Sequence, residues 1–227
     1  MITAVVTDIE GTTSSIAFVH EVLFPYARSH LGGFIRRHAD DPQVMACLDD
    51  VRHETGTTMD LDAVIDQLGQ WMAADMKITP LKTLQGLVWL EGYRNGDFKG
   101  HIYEDAWRQL VHWHQRGIRL AVYSSGSVQA QQLLFGNTEY GDLNYLFEEY
   151  FDTRIGAKTD RVSYRRIVEH LALPAGEVLF LSDVKTELDA AREAGLKTCW
   201  LVRDGGPDHA AEHLQVTDFN SIDVDKW

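Results

Sequence analysis

The sequence predicts an α/β protein: a doubly wound, parallel, Rossmann-like sheet with an all-helical cap inserted after its first strand. Three observations predict it. An apolar run at the amino terminus, Thr3-Ala4-Val5-Val6, stops at Asp8-Ile9-Glu10-Gly11-Thr12. From about Glu104 onward, short apolar runs alternate with helical patterns, as in sheets built from strand–helix–strand units. Between these two regions lies a long stretch whose apolar residues keep only helical spacing.

The first run reads as a buried strand, short and continuously apolar. Strand geometry starts Asp8 and Glu10 on the same side of the chain, with a turn expected at Gly11. Helical spacing then runs from about Phe18 to Gly96, through Val19, Val22, Leu23, Tyr26 and Ala27, then Val44, Cys47, Leu48 and Val51. A further helix starts at Asp60 and carries Val64, Ile65, Leu68, Trp71 and Met72. The next has Pro80 in its first turn, where proline fits, followed by Leu84, Leu87, Val88 and Trp89; Gly92, Gly96 and Gly100 punctuate its end.

The rhythm then changes. A helix with Ala106, Trp107, Leu110, Val111 and Trp113 leads through Gly117 to the strand Ile118–Tyr123, which ends at Ser124-Ser125-Gly126. Helices are expected from Ser127 to Phe135, Ser163 to Leu171 and Lys185 to Ala194, the last closed by Gly195. A short strand at Tyr150–Thr153, a clear one at Glu177–Leu181 and a last one at Lys197–Val202 complete the sheet. The expected domains are a core of residues 1–17 and 99–227 and a cap of residues 18–98. A segment that leaves the end of the first strand and returns there belongs at the sheet's carboxyl edge.

The chain has 227 residues, 44% hydrophobic and 24% charged, which is ordinary for a globular protein. Its formal net charge of −13 argues against nucleic-acid or anionic-membrane partners. An anionic substrate then needs local positive charge from a lysine, a metal or a helix amino terminus. Cys47 and Cys199 are far apart and read as buried small hydrophobes in a reducing compartment. Ten histidines are scattered without ligand spacing. No signal peptide or membrane span is apparent, so a cytoplasmic protein is expected.

Three strands end in polar signals: Asp8 with Glu10, Ser124-Ser125, and Ser182-Asp183. Lys158 stands in the loop between the last two. Taken singly, each has an ordinary explanation as a turn residue, a helix cap or a solvated charge. In a parallel sheet, however, strand carboxyl ends share one edge, where open α/β sheets bind ligands. Paired acids there suit a hard cation such as Mg²⁺, a carboxylate nucleophile, or both.

This ordered set, Asp8/Glu10/Thr12, Ser124, Lys158 and Asp183, resembles the haloacid dehalogenase-like hydrolases. The resemblance is closer to the enolase-phosphatase branch at Asp8–Thr13, at Gln85-Gly86 with Trp89 and Gly92-Tyr93, at Tyr123–Gln131, at Leu133–Gly136 and at Phe180–Asp183. It implies Asp8 as nucleophile and Glu10 as proton donor and acceptor. Ser124, Ser125 and Lys158 would bind phosphate, and Mg²⁺ would be held by Asp8, Asp183 and the backbone carbonyl of Glu10. The implied substrate is a small phosphorylated 2,3-diketone with a methylthio tail, enolised and then dephosphorylated to an acireductone in methionine salvage, by a monomer. Glu10 and Lys158 are both candidates for moving the proton in the first step. Phe18, Trp89, Tyr93 and Gln85 are candidates for the tail pocket, although plain helix packing explains the two aromatics of the last cap helix equally well. One departure, Glu104-Asp105-Ala106-Trp107 where a proline-containing stretch is expected, should face away from the chemistry.

Two other classes share the nucleophile or the fold. A capped sugar-phosphate or phosphoglycolate-type phosphatase would differ only in its cap residues and substrate. A non-catalytic phosphate-binding module would have lost the nucleophile or the metal acids, and both are present here. Glu10, Asp183 and Lys158 together suit a metal and a phosphate, which argues against a dehalogenase.

Overall fold

The computed structural model describes residues 1–206 and 208–227. In chain order the elements are β1 (Ala4–Thr7), α1 (Ile16–Phe18), α2 (Phe24–Arg37), α3 (Pro42–Thr55), α4 (Leu61–Ala73), α5 (Thr79–Asn95), α6 (Glu104–Gln115), β2 (Arg119–Tyr123), α7 (Val128–Gly136), β3 (Glu149–Phe151), α8 (Arg161–Leu171), β4 (Val178–Ser182), α9 (Lys185–Glu193), β5 (Lys197–Leu201) and β6 (Leu214–Val216). The chain forms two compact units, Met1–Ile16 with Lys99–Trp227, and Ala17–Phe98.

The first unit is built on a six-stranded sheet in the order β3-β2-β1-β4-β5-β6, and every pairing is parallel. This is the expected doubly wound fold. Strand order reverses between β1 and β4, the place where such sheets open a crevice beyond their carboxyl ends. The register is level there, since Thr7 lies opposite Val122 of β2 and Leu181 of β4. Alternation divides the buried side chains between two faces. Ala4, Val6, Ala121, Tyr123, Val178 and Phe180 pack with Tyr164, Ile167 and Leu171 of α8 and with Leu188 and Ala191 of α9. Val5, Leu120, Val122, Leu179 and Leu181 alternate with them and are buried as well, while α6 packs on β2 and α7 on β3.

The structure departs from expectation in three places. β6 was not foreseen: it is three residues long and Leu214 is exposed, so no apolar run marks it. β1 ends at Thr7, so strand alternation does not carry Glu10. The helix expected to begin near Phe18 is broken into α1, a π-helical segment at Val19–Leu23, and α2.

The second unit is helical. Asp41 accepts hydrogen bonds from the amides of Gln43 and Val44 and so caps α3, and Asp60 caps α4 through Ala63. Gly56 and Gly96 end α3 and α5 in the left-handed region, at φ 65° and 75°. The unit's core joins Leu31 and Ile35 of α2, Val51 of α3, Leu68 of α4, and Leu84 and Val88 of α5. Among the described residues, no helix is long and apolar enough to cross a membrane.

Candidate active site

Beyond β1 the chain folds into a tight loop in which the amides of Thr12, Thr13 and Ser14 all point at the carbonyl of Ile9, at 3.1, 3.0 and 2.9 Å. Gly11 makes the turn at φ +74° and donates to the Ser14 carbonyl at 2.8 Å. Proximity of Glu10 to Asp8 therefore comes from this turn and not from strand alternation. Asp8 itself stays at the sheet: its amide donates to Leu181 O at 2.9 Å, and its carbonyl accepts from Thr13 Oγ1 at 3.0 Å.

Asp8 is 2% exposed and Lys158 7% exposed, which makes their ion pair at 2.6 Å a buried one. Lys158 Nζ also lies 2.7 Å from Oε2 of Glu187, and the same oxygen accepts from Ser182 Oγ at 2.8 Å. Glu187 is a member of the site that the sequence reading missed. Its signal was an acid four residues after Asp183, which reads as an ordinary first-turn glutamate of α9. Two acids flank one cation here, so Lys158 keeps its proton: burial pulls its pKa down, but Asp8 and Glu187 push it above the usual lysine value. Glu187 is raised by burial first and by Asp8 second.

The loop that presents Lys158 is clamped through its backbone. Three consecutive carbonyls each accept a side-chain hydroxyl: Gly156 from Tyr123 at 2.9 Å, Ala157 from Ser163 at 2.8 Å, and Lys158 from Tyr164 at 2.7 Å. Gly156 is required there, because a Cβ would stand 2.1 Å from Ser163 Oγ. At the end of β2, Ser124 is buried and its Oγ accepts from the Gly126 amide at 3.1 Å. Ser125 beside it is exposed. Gln131 of α7 donates to the carbonyls of Gly126 and Phe151 at 2.8 and 2.9 Å, fixing the loop from behind.

Asp183 lies against Gly11. A Cβ on Gly11 would fall 2.0 Å from Asp183 Oδ2, so the carboxylate occupies space that only glycine leaves. Its other oxygen, Oδ1, is buried with no hydrogen-bond partner among the described residues. Burial, then the charge of Asp8, raises Asp183 to about 6, and the same two causes in the same order raise Glu10 to about 7. An unpartnered buried carboxylate oxygen in a cluster of acids fits a bound cation. No three His, Cys, Asp or Glu side chains converge as a ready-made metal group among the described residues. Two carboxylates and a backbone carbonyl with retained waters is nevertheless a donor set that suits Mg²⁺.

Residues 2–195 match the family model described as haloacid dehalogenase-like hydrolase. The chain belongs to that family. An enolase-phosphatase from Thioalkalivibrio sulfidiphilus is 56% identical over 97% of this chain and 98% of its own length. Another, from Methylococcus capsulatus, is 57% identical over 98% of each. The crystal structure of the UTR4 protein of Saccharomyces cerevisiae, 32% identical, superposes with a TM-score of 0.83 over 98% of this chain and all of that one. The hydrolase is thus an enzyme whose similarity to enolase-phosphatases runs through both units.

One expectation is corrected. The stretch Glu104–Trp107 does not face away from the site. Asp105 pairs with Arg203, at 3.2 Å from Nη1 to Oδ1 and 3.0 Å from Nη2 to Oδ2, and Arg203 Nε donates to the Thr12 carbonyl at 2.8 Å. In the helical unit, Phe18, Gln85 and Tyr93 are buried. Trp89 spends its indole N–H on Leu23 O, at 2.8 Å, at the end of the π-helical segment.

Proposed function

We propose that this chain is a Mg²⁺-dependent enolase-phosphatase that converts a phosphorylated 2,3-diketone with a methylthio tail to its enol, and then, with release of phosphate, to the acireductone of methionine salvage. Identity above one half, over nearly the full length, to relatives bearing that name carries the reading. The residues around Asp8 supply the chemistry.

Asp8 is the nucleophile. It attacks phosphorus and forms an aspartyl-phosphate, which water hydrolyses. Lys158, kept protonated between Asp8 and Glu187, offers fixed positive charge to the phosphoryl oxygens, and Ser124 and the Ser125 amide bind them. Glu10, raised to about 7 by burial and by Asp8, is poised to give a proton to the leaving oxygen and to take one from the attacking water. Asp8, Asp183 and the Glu10 carbonyl would hold Mg²⁺, which when bound would offset the repulsion between carboxylate and phosphate. In this reading the helical unit, residues 18–98, serves as the cap, and the protein works as a cytoplasmic monomer.

The test is to incubate the protein with Mg²⁺ and the diketone phosphate while following enol absorbance and free phosphate. Enol should appear first and phosphate should follow in equal amount. Phosphate released from simple sugar phosphates, with no enol formed from the diketone, would move the chain to a general phosphatase and leave the fold intact.

A further inference from the structure

Arg203 follows β5 and lies far from every strand end that carries a reacting group in sequence, yet its side chain is only 11% exposed. A buried arginine is weak evidence for stability in itself, because desolvation offsets most of the pairing energy. Its contacts account for it differently. Nη1 and Nη2 make a forked pair with Asp105, and Nε donates at 2.8 Å to the carbonyl of Thr12. The guanidinium lies 3.7 Å from the centre of the Tyr103 ring and 5.6 Å from that of Phe219. Asp105 is held in turn by the Phe219 amide at 2.8 Å, and the Tyr103 amide donates to the Thr13 carbonyl at 2.9 Å. One assembly therefore grips two successive carbonyls, those of Thr12 and Thr13, in the loop that carries Glu10.

The two acids of that loop are anchored unequally. Asp8 accepts one bond from the loop, at its carbonyl from Thr13 Oγ1, but its amide is tied to β4 through Leu181 O and the sheet keeps it in place. Glu10 sits at the turn, bridged to Ser14, and the turn's fully buried Thr12 presents its carbonyl to Arg203. We propose that Arg203, oriented by Asp105, is a positioning residue that fixes the turn and so aims Glu10, while contributing little to Asp8. This rests on Glu10 acting as the base that activates water in the second half of the phosphatase step.

The asymmetry predicts a kinetic signature. An enolic oxygen leaves with little help from an acid, whereas water needs the base, so a misaimed Glu10 should slow hydrolysis of the aspartyl-phosphate more than its formation. The phosphoenzyme then accumulates, kcat and KM fall together, and kcat/KM, which reports formation, falls much less than kcat. For Arg203→Met with Mg²⁺ and the diketone phosphate, kcat should fall about tenfold, the scale of a sub-ångström misplacement, and KM by a similar factor. Acid quenching should show a burst of product equal to the enzyme concentration and a trapped phosphoenzyme. Arg203→Lys, which keeps one donor and loses the fork, should recover part of kcat. Asp105→Asn should shift the kinetics in the same direction by less, and it carries the test with Arg203→Lys if Arg203→Met does not fold. Glu10→Gln, measured alongside, supplies the reference burst. Should kcat fall at constant KM with no burst, or nothing change, while Glu10→Gln does accumulate phosphoenzyme, the positioning role is overturned and the proposed function stands. If Glu10→Gln shows no accumulation, the role of Glu10 and that of Arg203 fall together; a wild-type protein inert towards the diketone phosphate overturns the function itself.

Discussion

The two units bury different things. In the helical unit the interior is hydrocarbon: Leu31, Ile35, Val51, Leu68, Leu84 and Val88 interlock. A polar group there is either used locally, as the Trp89 indole is on Leu23 O, or left alone, as the Tyr93 hydroxyl is among the described residues. In the α/β unit, the sheet's carboxyl edge buries Lys158 between Asp8, at 2.6 Å, and Glu187, at 2.7 Å, with Asp183 beside Gly11. Desolvating so many charges costs stability, and only pairing makes it tolerable. The difference teaches where to look for chemistry. It resides where the fold holds charges it would be more stable without.

Glu10 should give the largest effect. In the proposed mechanism water activation needs its carboxylate form, so hydrolysis of the aspartyl-phosphate should slow as pH falls through the Glu10 pKa. That value is about 7 from burial and the neighbouring Asp8, and lower with a cation bound. Glu10→Gln should slow this step by about 10²- to 10⁴-fold and remove the acid limb. Rapid-quench measurement of phosphoenzyme decay between pH 5 and pH 8, on the order of the range histidine and raised carboxylates span, checks both outcomes. An acid limb that survives in the variant belongs to another group.

Lys158→Met tests the buried charges directly. Loss of fixed positive charge at the phosphoryl oxygens should lower kcat by about 10²- to 10³-fold. Asp8 and Glu187 are also left facing each other, and breaking a buried pair in this way costs roughly 3–5 kcal/mol. The sign of the pH dependence follows from Glu187. Its folded pKa is already raised by burial and Asp8, and the lysine that opposes the rise is gone. Above its unfolded value the folded state then holds the extra proton, so stability should fall as pH rises through that window. Urea unfolding of the variant should therefore give a midpoint that drops more steeply from low to neutral pH than that of the wild type, in which Glu10, Asp183 and Glu187 already sit above their usual values but Lys158 limits the rise at Glu187.

The sequence disclosed the sheet and most of the site for one reason. Strand-end residues of a parallel sheet share an edge, so Asp8, Ser124 and Asp183 could be brought together from order alone. Lys158 followed because a phosphate needs a cation in a chain of net charge −13. What stayed hidden depends on contacts that no local pattern encodes. Arg203 and Thr12 are 191 residues apart, and Arg203 and Asp105 are 98 apart. Glu187 was in view but wore the pattern of a helix start. The π-helical turn at Val19–Leu23 breaks the 3.6-residue period on which the helical reading relied. β6 joins β5 at the sheet's edge with too few residues to alternate.

The smallest expected effect is the sharpest test of the contrast between the units. Tyr93 is 6% exposed, its ring packs edge-on against Phe98 at 4.5 Å, and its hydroxyl has no hydrogen-bond partner among the described residues. Burial alone pushes its pKa up. A buried hydroxyl that makes no bond forfeits its hydration, a cost of about 1–3 kcal/mol, with nothing gained in return. Tyr93→Phe keeps the ring and the packing and removes that cost, so it should unfold at a temperature about 2–4 °C higher per kcal/mol recovered, up to partial relaxation of the site. If the ring serves as helix packing, kcat and KM for the diketone phosphate should stay within about twofold, since neither ground state nor transition state loses a contact. A rise in KM together with the rise in melting temperature would instead mark the hydroxyl as a substrate contact, held unpaired in the free protein at the expense of stability, and would place this one group of the helical unit among the strained polar groups that distinguish the other.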